Sequence, residues 1–284
     1  MFKILRKSAQ TGLVTIRYPE APAQISRQFR GAPRFDFAGW RDARSAAGVC
    51  PTEAISIRES GDTRHVSVDY GLCIYCGECA AADPSAVQMT QQFELAAVDR
   101  RNLVVTAEYA VNQEGIQYEL RRMHHGYWPE EAAERLAQKV RDRIHQVLGR
   151  SIAIREVDAG SCNGCEVEIT ALNNPVYDVE RLGIHFVASP RHADMLLVTG
   201  PVTRNMELAL AKAYRAAPDP KVVVAVGACG ISGGIFGRNY ATLGGVDQVL
   251  PVDVFIPGCP PRPHALLHGI LLAVGQIGQK GTPQ

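Results

Sequence analysis

The sequence predicts an α/β protein in two parts, a parallel-sheet domain preceded by a smaller α+β unit. Three observations carry that prediction. In the second half, short apolar runs that end in Gly- and Cys-bearing turns alternate with helical stretches, the signature of strand–helix layering. In the first third, two apolar runs flank a Ser60-Gly61-Asp62 turn and read as one hairpin. The eight cysteines divide between these parts, with Cys50, Cys73, Cys76 and Cys79 in the first and Cys162, Cys165, Cys229 and Cys259 in the second. A chain of 284 residues, 46% hydrophobic, can bury about two cores.

Each element follows in order. Residues 1–7 alternate Phe2, Ile4 and Leu5 with Lys3, Arg6 and Lys7, a short amphipathic stretch suited to a partner or lipid interface. Strands are expected at 54–58 and 65–68. The segment 108–150 lacks Cys and carries apolar or small residues at Ala132, Ala133, Leu136, Val140 and Ile144, so it reads as a bridging helical linker between 1–107 and 151–284. Its His124-His125 pair reads as a surface feature. Further strands are expected at 151–157, 194–198, 221–226 and 252–256, with helices at 206–216 and 263–277.

Thirty Lys and Arg against twenty-nine Asp and Glu leave a net charge of +1, too little to hold nucleic acid non-specifically, so no nucleic-acid partner is expected. The apolar stretch 265–278 is interrupted by His268 and falls short of the roughly 18–20 residues that span a bilayer. The opening residues lack an export signal. A cytoplasmic, reducing setting is therefore expected, where cysteines serve as metal ligands before disulfides.

The first cysteine group is decodable. Two-cluster bacterial ferredoxins carry two Cys-x2-Cys-x2-Cys-x3-Cys-Pro runs, and the fourth Cys of each run ligates the other run's cluster. Here Cys73, Cys76 and Cys79 keep three positions of the second run, and Asp83-Pro84 stands at the fourth. Counting back from Cys50-Pro51 puts the remaining first-run positions on Trp40, Ala43 and Ala46. The lost positions all belong to one cluster. Cys50, Cys73, Cys76 and Cys79 would still hold a complete [4Fe–4S] site. A zinc knuckle is the rival reading, but three cysteines at consecutive x2 spacing match a cubane better than a tetrahedral ion.

In the second half, Cys162 and Cys165 follow one strand, Cys229 another and Cys259 a third. Loops at the carboxyl ends of parallel strands converge, so ligands remote in sequence can meet there. Gly227, Gly230, Gly233, Gly234 and Gly237 suit close backbone approach to a cluster. No Gly-Lys-Ser/Thr ending supports a phosphate loop instead. Glu166, next to the ligand pair, is either a helix N-terminal acid or a proton acceptor coupled to cluster reduction. His264 and His268 share a helix face without a metalloprotease Glu and read as packing or partner-facing residues.

Residues 1 to about 105, through Phe29-Arg-Gly31 and the Tyr70–Cys79 segment, resemble the polyferredoxin subunit of formate hydrogenlyase and its complex I relative, minus one cluster. From about 152 to 278 the chain resembles the small subunit of membrane-bound group 4 [NiFe] hydrogenases. The matching stretches are Gly160-Ser-Cys-Asn-Gly-Cys-Glu166, Gly227-Ala-Cys-Gly230, Ser232-Gly-Gly-Ile-Phe236 and Val252-Asp-Val-Phe-Ile-Pro-Gly-Cys-Pro-Pro261. The complex I counterpart has adjacent cysteines where this chain has Cys162-x2-Cys165, which favours the hydrogenase branch.

The resemblance implies a flavodoxin-like domain after a ferredoxin-like one, and two [4Fe–4S] clusters as cofactors. It also implies an oxidoreductase subunit that relays electrons to or from a nickel–iron site on a hydrogenase-type large subunit. Membrane-arm subunits would hold it at the inner face of the cell membrane, and an electron donor or acceptor protein would complete the path. A nickel-free quinone or ion-pumping complex and a non-redox zinc scaffold are the alternatives.

Overall fold

The computed structural model describes residues 2–124 and 151–280. Helix α1 (Phe2–Thr11) has no buried residue. Strand β1 (Pro33–Phe35) pairs antiparallel with β4 (Val87–Met89), bringing the two ends of the first unit together. Between them lie α2 (Arg44–Gly48), the hairpin β2 (Ile55–Ser60) and β3 (Thr63–Asp69), and α3 (Glu78–Ala82). The hairpin turns at Gly61, whose φ of +61° lies in the left-handed region that glycine occupies without a Cβ penalty.

The expected linker at 108–150 is corrected over its first part. Residues Glu108–Val111 complete strand β5 (Val104–Val111), and Gln117–His124 form β6, so 108–124 is sheet rather than bridging helix. Both strands extend the hairpin into a four-stranded antiparallel sheet of order β2-β3-β5-β6. The physical reason is the alternation of Val105, Ala107 and Tyr109, which face the core alongside Val66 and Val68. His124 ends β6, exposed on a strand and not on a helix. The helical periodicity at 132–148 and His125 lie outside the described residues.

The second half forms a five-stranded parallel sheet of order β11-β10-β9-β7-β8, from β7 (Ile152–Asp158), β8 (Ile184–Phe186), β9 (Met195–Thr199), β10 (Val222–Val226) and β11 (Val254–Ile256). Counted along the chain this is the 2-1-3-4-5 order of flavodoxin-like folds, with its switch point between β7 and β9. Helices α4 (Gly164–Ala171), α5 (Arg204–Ala216), α6 (Gly227–Ser232) and α7 (Pro263–Lys280) cover the sheet. Every residue of β9 and β10 is buried, as expected of parallel strands covered on both faces. Each fully buried Leu or Val there contributes about 1.5–3 kcal/mol relative to exposure.

Met195 and Leu197 pack with α4 and α7 on one face of the sheet. Leu196, Val198 and Val223 on the other face belong to the same core as Val66, Val105 and Trp40 of the first unit. The backbone joins the halves as well. Ala97 N–H donates to Phe255 O at 3.0 Å and Phe255 N–H to Ala97 O at 2.8 Å, so the first half covers the β11 edge.

Candidate metal centres

The first cysteine quartet is assembled from two turns. Cys50 follows α2, its N–H donating to Ala47 O at 3.2 Å. Cys73 and Cys76 lie in the loop before α3, and Cys79 sits inside that helix. The loop is tight enough to hold Tyr75 at φ +57° and Gly77 at +87°. All four thiols line one pocket with apolar walls that include Pro33, Phe35, Ile55 and Val68. Burial pushes the Cys73 thiol well up, the neighbouring Cys79, Cys50 and Cys76 adding to it while the Tyr75 N–H opposes it. That N–H donates to Cys73 Sγ at 3.4 Å. Burial likewise pushes Cys79 up to about 11. Apolar surroundings disfavour free thiolates, so a positively charged group must supply the compensation if these sulfurs ionise.

The donor set fits an iron–sulfur cluster. Four thiols line one pocket, a backbone amide points at a sulfur, and Tyr75, whose buried hydroxyl has no hydrogen-bond partner among the described residues, lines the same pocket. Among the described residues, no three His, Cys, Asp or Glu side chains converge closely enough to hold a single metal ion.

Trp40, Ala43, Ala46 and Asp83, where the ferredoxin pattern would place cysteines, also meet in space. Trp40 is 1% exposed, and Ala43 and Ala46 are fully buried. The Trp40 indole N–H donates to Asp83 Oδ2 at 3.0 Å, and its ring lies 5.3 Å from Phe35 and 5.9 Å from Phe37. Aromatic packing fills this region, and its indole, two methyls and single carboxylate leave no thiolate to hold iron. Gln117 from β6 braces the loop, accepting from Ala43 N–H at 2.9 Å and donating to Trp40 O at 3.0 Å. Its oxygen also accepts from the fully buried Arg64, which pairs with Glu59 at 2.6 Å and Asp42 at 3.3 Å. Sequence reasoning missed Arg64 and Gln117. The available signal was the charge of Arg64 on the inward phase shared by Val66 and Val68.

The second quartet forms at the carboxyl ends of β7, β10 and β11. Cys162 and Cys165 occupy the turn into α4, Cys229 lies in α6, and Cys259 follows β11. Ala228 N–H donates to Gly258 O at 2.8 Å and ties two of these loops together. The cradle is built of glycine because any Cβ would enter it. At Gly227, φ +76°, an added Cβ would stand 2.9 Å from Cys165 Sγ, and at Gly234 it would stand 2.9 Å from Cys229 Sγ. Burial pushes Cys165 well up, with Glu166 and then the other three thiols adding to it. Burial also pushes Cys229 up to about 11 and raises Cys259. This set fits the same kind of group.

Glu166 lies in the first turn of α4, with both carboxylate oxygens buried and without a hydrogen-bond partner among the described residues. Glu156 is raised by burial and then by Glu166. Both histidines lie in α7. His264 is caged by Tyr18, Phe93 and Tyr177 at 5.2–6.0 Å, and His268 is buried in α7 with neither ring nitrogen partnered among the described residues. Both are packing residues.

The family model described as NADH ubiquinone oxidoreductase, 20 Kd subunit, matches residues 162–273. Formate hydrogenlyase subunit 7 of Escherichia coli (strain K12) is 54% identical over 133 residues, covering 47% of this chain and 52% of that one. The chain thus spans about half the length of that relative. The probable membrane-bound hydrogenase subunit mbhJ of Pyrococcus furiosus is 48% identical over 145 residues, covering 50% of this chain and 87% of the relative. One NADH-quinone oxidoreductase subunit, from Geotalea daltonii, is 46% identical over 116 residues, covering 41% of this chain and 68% of the relative.

Proposed function

Because the chain belongs to the NADH ubiquinone oxidoreductase 20 Kd subunit family, we propose that it is the electron-transfer subunit of a membrane-associated [NiFe]-hydrogenase complex of the formate hydrogenlyase type. It is an oxidoreductase subunit that relays single electrons and makes no bonds itself. The observation that carries this reading is the pair of thiol quartets, one lining an apolar pocket in the first half and the other gathered at the carboxyl ends of β7, β10 and β11 in the second. Cys50, Cys73, Cys76 and Cys79 would hold one [4Fe–4S] cluster, and Cys162, Cys165, Cys229 and Cys259 the other. Such clusters supply one-electron transfer at potentials set by burial and hydrogen bonds to sulfur. The chain's own part is to keep the first quartet in an apolar pocket, aim the Tyr75 amide at Cys73, cradle the second quartet in glycine loops and fill the abandoned site with Trp40.

The Cys162-x2-Cys165 spacing supports the hydrogenase branch. The likeness to the NADH-quinone oxidoreductase of Geotalea daltonii keeps a nickel-free quinone complex as the second reading. No helix among the described residues is long and apolar enough to cross a membrane. In the proposed complex a large subunit and membrane-arm subunits would hold the chain at the cytoplasmic face, in contact with a donor or acceptor protein.

Anaerobic purification from membranes with mild detergent tests the proposal. About eight irons and eight acid-labile sulfides per chain, with a nickel-bearing large subunit co-purifying, are expected. A colourless, zinc-loaded protein overturns the redox reading, and a large subunit without nickel selects the quinone reading.

A further inference from the structure

The two quartets are joined by one short hydrogen-bonded link. Gly71 lies two residues before Cys73, in a loop pinned by Asp69, whose side chain accepts from Gly71 N–H at 2.8 Å and from Arg100 at 2.7 Å. The Cys73 N–H donates to Asp69 O at 3.2 Å. Across the junction, the Ser232 hydroxyl at the end of α6 stands 3.0 Å from Gly71 O and 2.9 Å from Ala228 O. The same Ser232 oxygen accepts from Gly234 N–H at 3.3 Å. Gly234 in turn presses against Cys229, where an added Cβ would meet Sγ at 2.9 Å. A hydrogen-bonded path therefore runs from the Cys73 loop through Gly71 O and Ser232 Oγ to Gly234, which lies beside Cys229.

Its geometry leaves little slack. A Cβ on Gly71 would meet Arg100 Cζ at 2.7 Å and Ile231 Cγ2 at 2.8 Å, so only glycine lets the loop lie this close to α6. The other approach between the quartets is open. Ile74 and Tyr75 of the first pocket also line a crevice of about 430 Å³ that reaches Cys259. Packed, hydrogen-bonded matter couples two redox groups better than a gap does.

Resting on the two-cluster reading above, we propose that the Gly71–Ser232 contact is the electronic coupler between the two centres, with Ser232 as the positioning residue. One electron crosses at a time. One centre is oxidised by one electron and the other is reduced by one, with no bond made or broken and no proton moved. One-electron redox proteins of the assembly supply and remove that electron at the two ends.

The test uses the full chain purified anaerobically with its partners, after iron analysis has established both centres. Electron paramagnetic resonance of the fully reduced protein reads the magnetic interaction between the centres, and rapid-freeze kinetics read transfer between them. Ser232→Ala should keep the full iron content and each centre's own spectrum while losing transfer rate and weakening the interaction. Ser232→Thr, which keeps the hydroxyl, should restore both, and Gly71→Ala should reproduce the loss by wedging the junction open. Wild-type transfer in Ser232→Ala, or a greater loss in Tyr75→Leu than in Ser232→Ala, overturns the coupler and assigns the path to the crevice wall. A wild-type chain with one iron centre or none overturns the coupler together with the reading beneath it.

Discussion

Replacing Trp40 by Ala tests whether this indole has taken over the space of a lost cluster. The side chain is 1% exposed, packed against Phe35 and Phe37, and hydrogen-bonded to Asp83. Truncating a buried Trp to Ala costs about 3–5 kcal/mol. Losing the indole donor adds about 1 kcal/mol or less, because Asp83 keeps the Ser85 hydroxyl at 2.6 Å. A loss of about 4 kcal/mol is a large share of the about 5–15 kcal/mol that holds a typical protein folded, and corresponds to a drop in Tm of roughly 10 °C. Trp40→Phe keeps a ring against Phe35 and should lose about 1–2 kcal/mol. The assay is denaturant and thermal unfolding of anaerobically purified protein, with iron measured on the same samples. Iron should stay at about eight per chain in Trp40→Phe, since no ligand is touched. A Trp40→Ala loss below about 1 kcal/mol, or half the iron missing from Trp40→Phe, would refute the plug.

Three further outcomes are expected. Cys50→Ser and Cys76→Ser should damage the same centre, read as loss of the same resonance signal, and signals lost from different centres would break the crossed-ligand assignment. Gly227→Ala should lose the second centre, lowering iron from about eight to about four per chain. The left-handed φ costs an L-residue roughly 1–2 kcal/mol, and the new Cβ sits 2.9 Å from Cys165 Sγ; full iron retention would show that the loop can yield. Burial lowers the His268 pKa from 6.5 to about 4. The unfolded chain thus takes up this proton first as pH falls, and stability present above pH 6.5 is lost progressively down to about 4, by up to about 3 kcal/mol. His268→Leu should flatten that loss in unfolding measured at stepped pH, and an unchanged slope would place the acid sensitivity elsewhere.

Much of the candidate site was legible in the sequence because its information is local. Cys-x2-Cys-x2-Cys is a chain-geometry constraint that survives without tertiary knowledge, and the crossed ferredoxin pattern identified Trp40, Ala43, Ala46 and Asp83 as companions before any of them touched. Strand ends carrying Cys162, Cys229 and Cys259 were readable from apolar runs that stop at glycine, and parallel strands bring such ends to one edge. The extra strands were harder. Alternation at Val105, Ala107 and Tyr109 was present, but β6 is polar over most of its length with only Gln117 buried, so its pairing depends on the open edge of β5 and not on its own pattern.

What only the tertiary structure decided are the contacts between residues far apart in the chain. Arg64 and Gln117 are polar side chains that become acceptable inside only when Glu59, Asp42, Trp40 and Ala43 supply their partners. His268 is likewise an ordinary helix residue until α7 lands on the sheet and removes it from water. Gly71 and Ser232 each lie in a stretch the sequence singles out, but nothing in either stretch pairs them across 161 positions. Their contact exists because the shared core beneath them leaves the Cys73 loop and the end of α6 nowhere else to meet.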